Sequence, residues 1–465
     1  MFVDRIKELR HLNRVFKGGG ARLLIVYGRR RVGKTELLRQ FLKDKKHLFF
    51  SSDLSSEHEQ LRQFTERIYQ LTNDSFLQEQ PFTSWEALLR YVFDNVDDNV
   101  PIVIDEFPYL CLSNRALPSV LQKIWDERVS TSEIFLVLCG SYMSFMEKEV
   151  LSSKSPLFGR RSGQMVLQPL GFHDIGGFFP SYSIWQRVHV YAILGGTPAY
   201  LLRFSDKKTI EKNIKDEILN KHAMLYSEPR FLLLEELREP STYFSILRAV
   251  AFGKTRLNEI VLETGISDRH KVNKYLAVLR ELHIIRREVP VTEDKPHKSR
   301  KGIYKLEDPF FRFWFRYVFP NVSYLEEGDI DYVWTEKIKV DLGSFIGFIF
   351  EDICIQQMKR LNRNGELPFK AKKIGRWWDA KDEIDIVALD DASSYLFCEC
   401  KWTGRKIGLD VLNQLQHKAD RFSGVTRRYF GLWSKSGFTE QLQDVSRKRT
   451  DVLLFGFPTV SRGDR

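Results

Sequence analysis

Cysteine is scarce. Cys111, Cys139, Cys354, Cys398 and Cys400 are the five in 465 residues, and their spacing forms no pairable framework. Cys398 and Cys400 sit one residue apart in an apolar strand pattern, and no second Cys or His pair completes a zinc site. They read as reduced core thiols, which points to a cytoplasmic location. Long apolar runs are also missing. Leu342–Phe350 and Phe310–Phe319 are the longest candidates. Both fall short of the roughly 18–20 residues a spanning helix needs, and the second contains Arg312 and Arg316. The opening MFVDRIKELR lacks the apolar centre of a signal peptide. There is no internal repeat and no low-complexity segment. Membrane, disulfide-scaffold and solenoid classes are excluded, and no membrane partner is expected.

What is present suits a globular, multidomain chain. Apolar residues make up 43% and charged residues 29%. Lys and Arg number 72 against 61 Asp and Glu, a formal net charge of +11, which permits a polyanionic partner without demanding one. At roughly 100–200 residues per domain, the length suggests three or four domains. Residues 1–170 alternate short apolar runs with helical periods, as a parallel α/β unit does. Residues 171–240 are helical in pattern. Residues 241–306 carry 14 Lys and Arg against 7 Asp and Glu, residues 307–340 read as an aromatic linker, and residues 341–465 return to α/β. The final SRGDR reads as a frayed tail.

Gly28-Arg29-Arg30-Arg31-Val32-Gly33-Lys34-Thr35 fits G-x-x-x-x-G-K-[ST] between the strand Arg22–Tyr27 and a helical run from Thr35 to Leu42. That context is what a phosphate-binding loop requires. The glycines let backbone N–H groups turn around phosphate oxygens, and the helix N-terminus adds a favourable dipole. Lys34 is expected at the β- and γ-phosphates and Thr35 at Mg²⁺; the loop and Glu36 after it are the expected ATP contacts. Val100–Ile104 is a second strand ending in Asp105 and Glu106. Asp105 is expected to hold Mg²⁺ through water, and Glu106 to polarise the attacking water. Ile134–Cys139 is a third, followed by Ser141, a candidate γ-phosphate sensor. Arg160, in Leu157-Phe158-Gly159-Arg160-Arg161, is a candidate arginine finger or one side of an exposed basic turn.

Several segments together carry a family likeness: the opening F-V-D-R-x-x-E-L, GRRRVGKT, IVIDEF, Gly140-Ser141-Tyr142, LFGR, and Gly195-Gly196-Thr197-Pro198-x-Tyr200-Leu201. The chain resembles the archaeal-type ATPase family, a branch of the AAA+/STAND-like P-loop ATPases. The resemblance implies a parallel sheet with a helical lid, then a winged helix and a C-terminal nuclease-like domain. It also allows homo-oligomers.

Thr255–Thr264, Gly265-Ile266-Ser267 and Asp268–Leu282 read as helix, turn, helix, with Ser267 as the expected N-cap. Val272, Tyr275, Leu276 and Leu279 form one buried stripe, opposite Arg269, His270, Lys271 and Lys274. A strand over 283–289, a polar loop and a strand over 302–306 complete a winged helix, with Lys298, Arg300 and Lys301 on the wing. These cations can neutralise phosphates of a nucleic acid, double-stranded DNA being the expected form. Winged helices also serve as protein-binding modules.

Glu383–Leu389 and Tyr395–Trp402 read as a hairpin. Centred on Ala392, it sets Asp385 opposite Glu399, and Lys401 shares the face of Glu399. Two neighbouring carboxylates repel unless a cation lies between them. A divalent metal, Mg²⁺ or Mn²⁺, would serve and could activate water; an ion-pair ladder on the surface is the plainer alternative. The D-x13-E-x-K spacing resembles the PD-(D/E)xK nuclease superfamily, with Ile384 where that name places Pro. This resemblance implies Asp385, Glu399 and Glu351 as metal ligands, Lys401 orienting or deprotonating water, and Gln414 as a polar helix residue facing the site. The expected fold is α/β and multidomain: a P-loop AAA+-like parallel sheet with helical lid, a winged helix, and a restriction-endonuclease-like α/β domain. The expected function is ATP-dependent DNA processing with metal-dependent cleavage. The alternative is a nucleotide-controlled switch whose nuclease-like part does not cut.

Overall fold

The computed structural model describes residues 2–128, 132–237 and 239–457; the SRGDR segment lies outside them. Two compact units form, Met1–Leu170 with Thr197–Ala199, and Gly171–Gly196 with Tyr200–Arg465. No helix among the described residues is long and apolar enough to cross a membrane.

In the first unit β1 (Arg22–Tyr27), β2 (Leu48–Ser51), β3 (Ile102–Asp105), β4 (Phe135–Gly140) and β5 (Gly163–Val166) make one parallel sheet, ordered β2-β3-β4-β1-β5. Every residue of β1, β3 and β4 is buried, as strands covered on both faces must be. β3 begins after Pro101, not at Val100 as expected. Pro101 has no N–H to give a ladder, and only its carbonyl takes part, accepting from Leu48 N. Leu37, Leu38, Phe41 and Leu42 of the helix Lys34–Leu42 pack with Leu24, Val26, Val103 and Val137 in one core. β4 lies between β1 and β3, so the segments that follow these three strands emerge side by side. In a parallel sheet that carboxyl edge is where ligands bind.

The second unit holds a helix–turn–helix of Leu257–Thr264 and Arg269–Glu281, then the antiparallel pair β6 (Ile285–Glu288) and β7 (Ile303–Leu306). Gly265 closes the first helix at φ 67°, where a side chain would be strained. Asp268, and not Ser267, caps the second, accepting from His270 N at 2.8 Å. The next stretch, expected as an aromatic linker, is core instead. Phe310, Phe311, Phe313, Trp314 and Phe315 are at most 1% exposed, and Trp314 Nε1 donates to Tyr226 O at 2.6 Å. Asp308 starts this helical stretch by accepting from Phe310 N at 2.7 Å and Phe311 N at 3.3 Å.

The last strands are β8 (Lys373–Trp378), β9 (Glu383–Leu389), β10 (Ser394–Lys401), β11 (Arg427–Ser434) and β12 (Val452–Phe455), in the order β12-β11-β10-β9-β8. β8, β9 and β10 run as an antiparallel meander, and β11 and β12 add parallel. The helix Leu342–Asn364 precedes the meander, and Leu409–Ala419 forms the crossover from β10 to β11. Leu412 and Leu415 of the crossover share a core with Ile384, Val387, Phe397 and Leu432.

Replacing Asp308 with Ala removes the cap of the aromatic stretch. The second unit should lose about 1–2 kcal/mol in chemical denaturation, whereas the first should be unaffected.

Candidate functional site

The ends of three neighbouring strands, β3, β4 and β1, organise the first site. The loop after β1 returns into the helix through Gly33, whose φ of 90° suits glycine. Gly28 has no room for a side chain, because a Cβ there would lie 2.4 Å from Leu167 O. Lys34 is buried, and its Nζ donates to Gly28 O at 2.9 Å and Arg29 O at 3.2 Å, arching back over the loop. Three contacts brace the arginines and the loop. Arg29 Nη2 donates to Thr197 Oγ1 at 3.2 Å, Arg30 Nη2 to Tyr109 OH at 2.5 Å, and Arg5 Nη2 to Val32 O at 3.0 Å. Arg5 and Thr197 both stand in motifs read from the sequence, where neither had a role. Glu36 is exposed in the first helical turn.

Thr35 Oγ1 donates to Asp105 Oδ2 at 2.6 Å. This pairing of a loop hydroxyl with a buried carboxylate suits Mg²⁺, whose ligands are oxygens. Asp105 Oδ1 accepts from Glu106 N at 3.0 Å. Glu106 itself has φ 54°, an uncommon conformation outside glycine. Its carboxylate is fixed by Ser141, whose Oγ lies 2.7 Å from both carboxylate oxygens and whose N donates to Oε2 at 3.2 Å. Ser141, expected as a phosphate sensor, therefore orients Glu106. Arg160, the candidate finger, forms a two-pronged ion pair with Asp126, both contacts 2.7 Å. Its planar guanidinium matches that carboxylate, which accounts for its placement.

The second site lies on the β9–β10 hairpin. The pairs Tyr395↔Leu389 to Cys398↔Ile386 give the register of a turn centred on Ala392, and continuing it sets Asp385 opposite Glu399. Asp390 Oδ1 holds the turn, accepting from Ala392 N at 2.9 Å and Ser394 N at 2.8 Å. Lys401 Nζ donates to Glu399 Oε1 at 2.7 Å, and Asp385 Oδ2 accepts from Cys400 N at 2.7 Å. Burial pushes Asp385 up to about 7, with the charges of Glu399 and Glu351 adding to it. Burial works most strongly against the Lys401 ammonium, but the Glu399 hydrogen bond and the charges of Glu399 and Asp385 together outweigh it and raise its pKa. Gln414 is exposed. The crossover helix instead sends Lys418, one turn further on, to Glu399 Oε2 at 3.4 Å. Nothing in the sequence singled out Lys418, because it lies on the same helix beyond the expected position. Glu351, on the helix Leu342–Asn364, pairs with Arg376 Nε at 3.0 Å. Among the described residues, no group of three His, Cys, Asp or Glu is placed to hold a metal. Asp385 and Glu399 offer carboxylate oxygens, the donor type that Mg²⁺ and Mn²⁺ take.

The seven basic residues expected on the helix–turn–helix and its wing, Arg269, His270, Lys271, Lys274, Lys298, Arg300 and Lys301, are all exposed. Lys301 pairs with Glu293 at 2.8 Å, so its charge is partly neutralised within the loop.

Residues 2–204 match the family described as an ATPase domain predominantly from Archaea, and residues 314–414 match one described as archaeal and bacterial proteins of unknown function. An uncharacterized protein of Methanocaldococcus jannaschii is 37% identical over 408 residues, covering 87% of this chain and 88% of that one. The chain belongs to the archaeal ATPase family. An uncharacterized ATP-binding protein of the same organism is 54% identical over 46 residues, which is 10% of this ATPase and 78% of that protein. Among solved structures, a Walker-type ATPase of Pyrococcus abyssi has a TM-score of 0.49 at 21% identity, covering 68% of this chain and 96% of its own. The ORC2 protein of Aeropyrum pernix has a TM-score of 0.46 at 13% identity, covering 71% and 96%.

The displaced ionisation of Asp385 has a signed consequence for the ATPase. Unfolded, the group ionises near its ordinary 3.8, and folded it ionises at about 7. The folded state keeps the proton longer, so the stabilising contribution is full below about pH 4 and is lost as pH rises to about 7. Without divalent cations, Asp385→Asn should therefore melt higher than the parent at about pH 8, relative to their difference at about pH 4. A pH-independent difference would contradict the assignment.

Proposed function

We propose that the chain is an ATP-driven nucleic-acid-processing enzyme with two reaction centres, one hydrolysing ATP and the other cutting a phosphodiester with a divalent cation. The observation that carries the second half is the convergence of Asp385, Glu399 and Lys401 of one hairpin with Lys418 of the crossover helix. It is supported by the order of elements around it: helix, three antiparallel strands, crossover helix, parallel strand.

At the first centre the loop N–H groups and the helix N-terminus face the phosphates, and Lys34 turns from its carbonyl partners to the β- and γ-phosphates. Thr35 and Asp105 hold Mg²⁺, which neutralises phosphate charge when bound. Glu106 orients the attacking water and accepts its proton, while Ser141 keeps that carboxylate aimed. At the second centre Asp385 and Glu399 hold Mg²⁺ or Mn²⁺, which supplies charge at the scissile phosphate when bound. Lys401, held as an ammonium, orients water and stabilises negative charge; its raised pKa argues against service as the base. The exposed cations of the helix–turn–helix and wing, which support a winged-helix reading, bind the phosphates of double-stranded DNA.

Lys34→Ala should abolish ATP binding in a fluorescent-nucleotide titration. Glu106→Gln should keep binding but slow turnover by about a hundredfold or more. Ser141→Ala should reproduce part of that loss; full turnover without Ser141 would remove its orienting role.

A plasmid-nicking assay with Mg²⁺ or Mn²⁺ tests the second centre. Cleavage should disappear in both Lys401→Ala and Asp385→Asn. If the parent does not cut in any nucleotide state, the hairpin is a scaffold and the chain a nucleotide-controlled switch.

A further inference from the structure

The third carboxylate expected at the hairpin site, close enough for its charge to act on Asp385, is bonded to an arginine. Glu351 Oε2 accepts from Arg376 Nε at 3.0 Å. The same guanidinium reaches Glu288 Oε1 at 3.0 Å through Nη1 and Asp352 Oδ1 at 2.9 Å through Nη2. Three nitrogens thus meet three different carboxylates, on a side chain 9% exposed. A fixed planar fork can do this, and a lysine point charge cannot.

The strand irregularity explains how Arg376 comes to be there. β8 and β9 pair Gly375 with Val387 and Trp377 with Ile384. Between those pairs β8 has Arg376 alone, whereas β9 has both Asp385 and Ile386. Such a bulge re-aims side chains and often lies beside a reaction site. The Arg376 carbonyl also accepts from Val291 N at 2.9 Å, just past β6. Glu288 is the last residue of β6 and is gripped in turn by Arg286 at 2.7 Å and Lys305 at 3.3 Å. The guanidinium is therefore held from the β6–β7 pair on one side and from the helix Leu342–Asn364 on the other.

We propose that Arg376 is a positioning residue that clamps Glu351 outside the cation set of Asp385 and Glu399, so that the set is completed only when the clamp opens. This rests on the reading of the hairpin as a divalent-cation site. A carboxylate oxygen already bonded to a guanidinium is a poor ligand, and releasing it costs the Arg376–Glu351 ion pair. Because one of the three grips is on β6, a shift of the β6–β7 pair is transmitted to the acids through Arg376 and not through solvent.

The test is Mn²⁺ titration of the full-length, nucleotide-free protein, with free Mn²⁺ counted by electron paramagnetic resonance. Glu351→Gln alone should leave Mn²⁺ affinity unchanged. Arg376→Gln should raise it by about tenfold or more, the scale on which groups next to metal ligands act. Adding Glu351→Gln to Arg376→Gln should abolish the gain. Mere loss of a positive charge would raise affinity equally with or without Glu351, so a gain surviving in the double variant overturns the clamp. A loss of affinity in Glu351→Gln alone overturns it too, and that arm decides the matter even if Arg376→Gln does not fold. Asp385→Asn separates the two readings. Binding that is indifferent to Asp385, or absent from both parent and Arg376→Gln, sinks the cation site and the clamp together. Binding lost in Asp385→Asn but unmoved by Arg376→Gln leaves the site standing and removes the clamp alone.

Discussion

Like charges buried together repel, and the second unit is arranged around that repulsion. Asp385 and Glu399 share a face because of the hairpin register: a slip of one residue would put them on opposite faces. Lys401 and Lys418 each take one oxygen of Glu399, while Asp385 receives a single backbone N–H from Cys400. Cationic help is thus concentrated on one acid of the pair. The uneven distribution leaves Asp385 the acid of the pair whose ionisation is the more strongly opposed.

The first unit solves the opposite problem. Its ligand brings the negative charge, and the protein supplies positive ends of backbone and one buried amine. Inserting β4 between β1 and β3 separates the loop strand from the acid strand by one strand's width, about 5 Å to either side. Ser141, at the end of that middle strand, is thereby beside Glu106, and the contact is a matter of sheet order and not of any local motif.

Much of this was legible in the sequence. The loop from Gly28 to Thr35, the strand ending in Asp105, and the hairpin from Glu383 to Lys401 announce themselves through local spacing, and local spacing survives folding. What escaped was set by tertiary placement. The contacts of Ser141 with Glu106 and of Arg160 with Asp126 were not legible, because these partners lie about 35 residues away in sequence and meet only across the fold. Lys418 was missed because helix phase, not residue type, decides which polar side chain reaches a sheet. Arg376 drew no notice because a bulge cannot be read from strand alternation, and its neighbouring tryptophans dominate the pattern. The aromatic stretch after Asp308 was read as a linker on composition, although residues that apolar are costly to leave in water.

Glu106 carries a last consequence. Its backbone at φ 54° is one that glycine adopts freely and that costs a side-chain-bearing residue about 1–2 kcal/mol. Under the role proposed for Glu106, the residue best for folding and the residue best for turnover are different ones at that position. An ancestor or a design optimised for thermal robustness alone would drift toward glycine there, and on the proposed mechanism would give up turnover for stability.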